Sequence, residues 1–152
     1  MKTIAKSALC ALYKYSGVVR VQEALAQQHF LSVLLFHRVT DDIPEDGLTV
    51  STRRFARICR MLRRNFRVVP LAEIYRILNA KEAFPPRTVA ITFDDCYRDN
   101  LFAARVLADH GLPACFFIPS TYVGTDHVFE WDRHLPRMAN LNWDEVREMA
   151  GL

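Results

Sequence analysis

The chain has 152 residues and a formal net charge of +3 at pH 7, and 51% of its residues are hydrophobic while 24% are charged. These values suit one domain with a packed core and argue against a disordered chain. The arginines cluster on one predicted helix, without the alternation of basic and aromatic residues found in nucleic-acid-binding surfaces, so we expect no nucleic-acid partner.

Residues 1–30 have helical periodicity, with Ile4 and Leu12 among the apolar residues that share one face. Lys6 and Lys14 interrupt the apolar run, which is too short and too broken for a membrane span. The run is also unlike a signal peptide, because it lacks an uninterrupted apolar centre followed by a small-residue cleavage site. We expect an N-terminal helical segment that either packs on the domain or contacts a membrane surface. We accordingly expect a cytoplasmic or membrane-associated protein.

A first buried strand is predicted at residues 32–36, which are apolar after the serine. His37 and Arg38 follow at its end. A histidine in this position is either a hydrogen-bonded structural group or a group that contacts a ligand, and both interpretations stay open.

Helix and strand patterns alternate in the next segment. A helix begins near Ser51 or Thr52, a short strand is predicted at residues 66–69, and a second helix follows Pro70. Apolar residues recur at helical spacing in both helices, which predicts one core-facing stripe in each. The first stripe is Phe55, Ile58, Cys59 and Leu62, and the second is Leu71, Ile74, Tyr75 and Leu78.

An acidic pair follows the strand with the strongest pattern in the chain. Residues 88–92 are uncharged and rich in β-branched side chains, which predicts a buried strand. Asp94 and Asp95 come shortly after it. Because ligands of parallel α/β sheets lie at the carboxyl ends of the strands, this pair predicts a functional site.

The chemistry of the acidic pair has several interpretations. Adjacent carboxylates repel each other, and a divalent cation bound to one relieves the repulsion and leaves the other free to act as a base on water. A magnesium site for diphosphates could use Asp94, Asp95 and Asp99, although such sites sit on helices rather than after strands. The structural alternative is that one of the two adjacent acids caps the helix that follows.

The segment after the acidic pair completes a strand–helix–strand unit. A helix is predicted over residues 99–110, with Gly111 at its end, and a strand over residues 114–118. Such a connection is a right-handed parallel crossover. Further on, Asn142 and Glu145 form a capping-box pattern that opens another helix.

Residues 129–133 mix aromatic and charged side chains, with Trp131 at their centre. A flat aromatic ring can stack on a sugar while polar neighbours bind its hydroxyl groups, so Trp131 is a candidate substrate-binding residue. An ordinary buried tryptophan is an equally good interpretation of the pattern.

Several motifs resemble one known family. Thr-Phe-Asp-Asp at residues 92–95, followed by Tyr-Arg-Asp-Asn at residues 97–100, resembles the first motif of the polysaccharide deacetylases, which share the NodB homology domain. The match is specific because further segments have counterparts in the same order. These are residues 35–39, 111–117, 129–133 and 142–149.

The resemblance implies an α/β fold, a (β/α) barrel of parallel strands with flanking helices. It implies hydrolysis of N-acetyl, or O-acetyl, groups of a polysaccharide substrate, with a divalent metal, usually zinc, as cofactor. Asp94 would be the catalytic base, Asp95 would bind the metal, and His37 would lie near the substrate.

One part of the family pattern is missing. The family completes its metal site with a His-x-x-x-His pair after the helix that begins here at Asn142, and the chain has no such pair. We expect residues 31–152 to be an incomplete, C-terminally truncated barrel that is inactive by itself, with open sheet edges that favour self-association. Cys96 stands where the family usually has glycine, which predicts strain if this position needs a positive φ. A non-catalytic carbohydrate-binding or structural remnant is the alternative function.

Overall fold

The computed structural model describes residues 31–152. The predicted helical segment of residues 1–30, and with it the contact to a membrane surface, lies outside the described residues. Within residues 31–152, no helix combines the length and the apolar composition that are needed to span a bilayer.

Strands and helices alternate along the described chain, as the periodicity predicts. The strands are β1 (Leu31–Phe36), β2 (Arg38–Val39), β3 (Thr49–Val50), β4 (Arg67–Val68), β5 (Thr88–Asp94) and β6 (Cys115–Phe117). The helices are α1 (Thr52–Asn65), α2 (Leu71–Asn79), α3 (Asp99–Asp109) and α4 (Trp143–Ala150), and a short 3-10 turn covers Glu130–Asp132. β4 and β6 begin and end one residue inside their predicted bounds, and the pairing of β2 with β3 had no counterpart in the predictions.

β5 is the central strand of a four-stranded parallel sheet. β1 pairs with it from Leu31, beside Thr88, to Phe36, beside Phe93. On the other side, β4 pairs with the first residues of β5 and β6 with its last ones. The strand is buried up to Phe93, which its uncharged sequence predicts. The predicted α/β class with parallel strands and flanking helices is confirmed.

One face of β5 forms the main core. Successive strand residues point to opposite sides of a sheet, and Val89, Ile91 and Phe93 share the side that is covered by α1 and α3. Phe93 is fully buried, and its ring lies 4.5 Å from that of Phe116 in β6. These contacts fix the position of the strand end that carries the acidic pair.

The other face of the sheet is partly open. Val33 lies beside Ala90 and Leu35 beside Thr92, so these four side chains share one face. Ala90 and Thr92 are buried, whereas Val33 and Leu35 are 51% and 53% exposed. Asp94 follows Thr92 at a spacing of two and lies on this same face. The acidic strand end therefore borders a sheet surface that the described residues cover only in part.

The core-facing stripe of α1 is confirmed, because Phe55, Cys59 and Leu62 are buried and Ile58 is partly buried and packs against the same core. The side chain of the N-cap residue, Ser51, makes no capping hydrogen bond. Its backbone N–H and hydroxyl instead donate to the Glu45 carboxylate, at 2.9 and 2.6 Å. These bonds lower the pKa of Glu45 to about 2, the hydroxyl being the largest cause.

The predicted stripe of α2 is wrong in its second half. Tyr75 and Leu78 are 70% and 57% exposed, whereas Ile74 and Ile77 are buried. Ile74 packs against Ala90 of β5, and this contact sets the rotation of the helix about its axis. The sequence of α2 allows an apolar stripe through Tyr75 and Leu78 or one through Ile74 and Ile77. The contact with the sheet determines that the second one faces the core.

Candidate active site

The acidic pair sits where β5 ends. Asp94 is the last strand residue, and Asp95 has a φ of +70°, a left-handed conformation that aspartate tolerates better than most residues. Cys96 has no positive φ. The left-handed backbone conformation considered for Cys96 is therefore adopted by its neighbour Asp95. Burial, with the Asp95 charge as a second cause, raises the pKa of the Cys96 thiol to about 11. The thiol is therefore protonated near neutral pH.

His37 and Asp95 meet at the ends of β1 and β5. Nδ1 of His37 lies 3.0 Å from Oδ2 of Asp95, and both side chains are largely buried. The two strands are parallel and in register up to Phe36 and Phe93, so the residues that follow them arrive at the same place. The His37 carbonyl accepts a hydrogen bond of 2.8 Å from Nδ2 of the buried Asn100. These contacts fix both the backbone and the ring of His37 against Asp95.

The Asp94 carboxylate has a different environment. It is partly buried, and among residues 31–152 it has neither a hydrogen-bond partner nor an ion-pair partner. Helix α3 has Arg98 as its N-cap residue and no side-chain capping bond, so the explanation of the acidic pair as a helix cap is wrong. An uncommitted carboxylate at this edge of the sheet can accept a proton from water.

Asp99 does not join the acidic pair. Its Oδ1 accepts a hydrogen bond of 2.7 Å from Nδ2 of Asn100. Burial raises the pKa of Asp99 to about 6, against the lowering effect of the Asn100 hydrogen bond. Within residues 31–152, no three side chains of His, Cys, Asp or Glu lie together so that they could hold a metal ion. The magnesium cluster of Asp94, Asp95 and Asp99 is therefore wrong.

The lack of a three-ligand group within residues 31–152 also bears on the zinc site that the family resemblance implies. A catalytic zinc takes about three protein ligands. Asp95 is an oxygen donor of the required kind at the strand end, and its neighbour His37 orients it. The described residues thus fit one ligand position of a metal centre and do not complete one.

A buried ionic network adjoins the acidic pair. Nη1 of Arg38 donates a hydrogen bond of 2.5 Å to Oδ2 of Asp132, which also accepts one from the Tyr97 hydroxyl. All three side chains are buried. Burial lowers the pKa of Arg38, but the hydrogen bond and charge of Asp132 outweigh it. Burial, followed by the Asp132 hydrogen bond, raises the pKa of Tyr97.

Sequence reasoning missed this network. Arg38 was visible as the residue after His37 at the end of a buried strand, but its partner Asp132 is 94 positions away. A charged residue that will be buried carries no local signal, since burial depends on what packs over it. The available hints were the position of Arg38 beside a strand end and the presence of both residues in segments with family counterparts, 35–39 and 129–133.

Trp131 is 55% exposed, so its interpretation as an ordinary buried tryptophan is wrong. One face of the indole stacks on Phe129, with ring centroids 4.9 Å apart and an angle of 19° between the planes. Phe129 is buried and meets the ring of Tyr97 edge-on at 5.4 Å. Tyr97 is two residues from Asp95, so two ring contacts connect Trp131 to the acidic strand end.

Comparison with protein families gives a match to the family described as polysaccharide deacetylase over residues 81–151. This segment includes both members of the acidic pair. A search of curated proteins gave no match. The family match and the motifs in residues 92–100 therefore agree on the same part of the chain.

Solved structures of deacetylases have the same fold. IcaB from Ammonifex degensii superposes with a TM-score of 0.67 at 28% identity, over 82% of this chain and 50% of that chain. A de-N-acetylase from Aggregatibacter actinomycetemcomitans has a TM-score of 0.65 at 27% identity, over 80% and 50%. The deacetylase PplD of Streptococcus pyogenes, solved with acetate, shares the fold at 20% identity, with a TM-score of 0.62 over 80% and 52%.

The chain spans about half the length of these solved structures. The resemblance that the motifs indicate is confirmed, and the fold is an incomplete barrel of the kind found in these deacetylases.

Proposed function

We propose that the protein is a polysaccharide deacetylase, a hydrolase that removes N-acetyl, or O-acetyl, groups from a polysaccharide. The observation that carries this proposal is the division of the acidic pair. Asp95 is held by His37 at 3.0 Å, whereas the Asp94 carboxylate is uncommitted among the described residues. The family match over residues 81–151, which includes both acids, supports the same assignment.

The proposed roles follow from these two environments. Asp94 is the general base and takes a proton from the water that attacks the acetyl carbon. Asp95, oriented by His37, is one ligand of a divalent cation, which we propose to be zinc. When bound, such a cation polarises the carbonyl group and lowers the pKa of water. The hydrolysis breaks the bond between the carbonyl carbon and the sugar nitrogen or oxygen and releases acetate.

Substrate contacts are proposed for His37 and Trp131. The free face of the Trp131 indole is suited to stacking on a sugar ring, because its other face is occupied by the buried Phe129. His37 borders the acidic pair and is 19% exposed. We propose that its ring edge faces the acetyl group, in addition to holding Asp95.

A non-catalytic carbohydrate-binding protein is the second candidate function. It is favoured by the observation that residues 31–152 hold no group of three metal ligands, while the exposed Trp131 needs no metal to bind a sugar. For the same reason we propose that residues 31–152 alone are inactive. The two candidates differ in one measurement, the release of acetate.

The test is the substitution Asp94→Asn in a version of the domain that also supplies the remaining metal ligands, with acetate release from an N-acetylated glucosamine polymer as the readout. We expect the rate to fall by about 10²- to 10⁴-fold, the usual contribution of a general base, while the bound metal is retained. Glu130→Gln, which changes an exposed acid outside the acidic pair, is the control. Full activity of Asp94→Asn would show that the base is assigned wrongly, and no acetate release by the parent protein would favour the binding function.

A further inference from the structure

The Arg38 side chain is an unusually constrained cation. It is 1% exposed, and each of its three guanidinium nitrogens donates a hydrogen bond. Nε donates to Thr49 Oγ1 at 2.9 Å, Nη1 to Asp132 Oδ2 at 2.5 Å and Nη2 to Asp46 Oδ2 at 3.3 Å. The guanidinium also lies 5.7 Å from the centre of the Tyr97 ring. Arg38 therefore cannot change its position without breaking several buried contacts.

Asp132 is the buried counter-charge of this cation. Its side chain is 5% exposed, whereas that of Asp46, the other acid bound to Arg38, is 44% exposed. A buried charge without its partner is strongly unfavourable, so Arg38 and Asp132 hold each other in place. The Tyr97 hydroxyl donates to the same Oδ2 atom. This second hydrogen bond further restricts where the Asp132 carboxylate can lie.

The remaining polar contacts around Trp131 are weak anchors. Within the described residues, the 3-10 turn Glu130–Asp132 has an ion pair from Glu130 to Arg133, whose side chains are 79% and 69% exposed. Exposed ion pairs contribute about 0 to 1 kcal/mol. The buried side-chain hydrogen bonds of this turn are therefore those that Asp132 accepts from Arg38 and Tyr97.

Trp131 lies inside the same turn, directly before Asp132. Its indole rests on Phe129, and Phe129 rests on the ring of Tyr97. The hydroxyl end of Tyr97 thus binds Asp132, while its ring supports the stack beneath Trp131. Both of these contacts connect Trp131 to Tyr97, two residues from Asp95, while Phe129 also meets the ring of Tyr122 edge-on at 5.1 Å.

We infer that Arg38 and Asp132 are positioning residues for saccharide binding: their buried ion pair, completed by Tyr97, holds the exposed face of Trp131 beside the acidic strand end. This inference rests on the proposed function, because it assigns Trp131 to the saccharide. It predicts that weakening the ion pair changes the environment of Trp131 and lowers saccharide affinity, although Asp132 does not contact the ligand.

The chain offers a matched pair of reporters for the test. It has two tryptophans, so Trp143→Phe leaves only Trp131 and Trp131→Phe leaves only Trp143. Trp143 is 49% exposed, similar to Trp131, and opens α4. In each background, acrylamide quenching of fluorescence is measured, and the Trp131 background is titrated with a β-linked N-acetylglucosamine pentasaccharide.

Three variants are compared in both backgrounds. Asp132→Asn removes the counter-charge, Tyr97→Phe removes one hydroxyl and keeps the ring, and Glu130→Gln changes the exposed acid of the same turn as the control. We expect Asp132→Asn to alter the quenching of Trp131 and to weaken pentasaccharide binding about tenfold, the size of a typical coupling between contacting residues. Tyr97→Phe has a smaller effect in the same direction, and Glu130→Gln has none.

The inference is overturned if Trp131 quenching is unchanged in both Asp132→Asn and Tyr97→Phe, or if Trp143 quenching changes equally, which would indicate a general loss of structure. Tyr97→Phe keeps the ion pair. If Asp132→Asn does not fold, the Trp131 quenching of Tyr97→Phe alone tests the inference. Failure of the parent chain to bind the pentasaccharide would contradict the assignment of Trp131 to the saccharide, and with it this inference. A quenching change confined to Trp131 would then support only the structural coupling between the ion pair and the turn.

Discussion

Nδ1 of His37 lies 3.0 Å from Oδ2 of Asp95, although 58 positions separate the two residues. The contact exists because β1 and β5 pair in parallel and in register and end at the same level. Asp95 has a left-handed φ of +70°, so the hydrogen bond also stabilises a conformation that is otherwise unfavourable. It joins the two strand ends that form the candidate site.

We predict that His37→Phe destabilises the chain by about 1 to 3 kcal/mol, because a largely buried carboxylate loses its hydrogen-bond donor. The free energy of unfolding in urea is the measurement. His134→Phe, at an exposed position, is the control and should change stability by less than about 0.5 kcal/mol. Equal stability of the two variants would mean that the His37–Asp95 contact contributes nothing to the fold.

Zinc uptake tests the number of ligands that the described residues provide. Because residues 31–152 fit one ligand position, we predict that the 152-residue chain takes up no stoichiometric zinc in dialysis against micromolar metal, since a stable site takes about three ligands. Asp95→Asn should give the same result as the parent chain. Tight, Asp95-dependent uptake would show a metal site that the described residues do not reveal.

Asp99 gives the chain a specific pH dependence. Burial raises its pKa to about 6 from the ordinary value of 3.8, so between these pH values the folded state holds a proton that the unfolded state has lost. Stability therefore falls as pH rises from about 4 to about 6, by on the order of 2 kcal/mol from this group.

The matching substitution is Asp99→Asn. We predict that it is more stable than the parent at pH 7, and that the difference disappears below about pH 4, where Asp99 is protonated in both states. Thermal unfolding across this pH range is the measurement, and Asp109→Asn, at an exposed position of the same helix, is the control. A constant difference at all pH values would indicate that Asp99 does not titrate in this way.

The core can be tested with two phenylalanines. Phe93 is fully buried, packs between α1 and α3, and stacks on Phe36 and Phe116. Phe93→Ala should cost about 3 to 5 kcal/mol in the free energy of unfolding, from lost burial and the cavity left behind. Phe102→Ala, at a side chain that is 41% exposed, should cost far less. Similar losses at both positions would contradict the assignment of the core.

The candidate site was predictable in part because its signal is local. The β-branched run of residues 88–92 and the acids after it lie within a few positions of each other, and the carboxyl end of a buried parallel strand is a known place for ligands. The family motifs strengthened this prediction. The apolar stripe of α1 was also predicted, because residues such as Phe55 and Leu62 recur at helical spacing.

Other features had no local signal. The sequence of α2 is compatible with two apolar stripes, and the packing of Ile74 against Ala90 determines which one faces the core. The buried pair of Arg38 and Asp132 joins residues 94 positions apart. The left-handed conformation at Asp95, rather than strain at Cys96, also depends on how the chain leaves the strand.

The sequence by itself determined the order of strands and helices and the position of the acidic pair at a strand end, because periodicity and motifs act over short distances along the chain. Only the tertiary structure decided which of the two acids is held by His37, that Asp94 is uncommitted among the described residues, and that Trp131 is exposed. The physical reason is that hydrogen bonding, ion pairing and burial depend on which distant segments pack together.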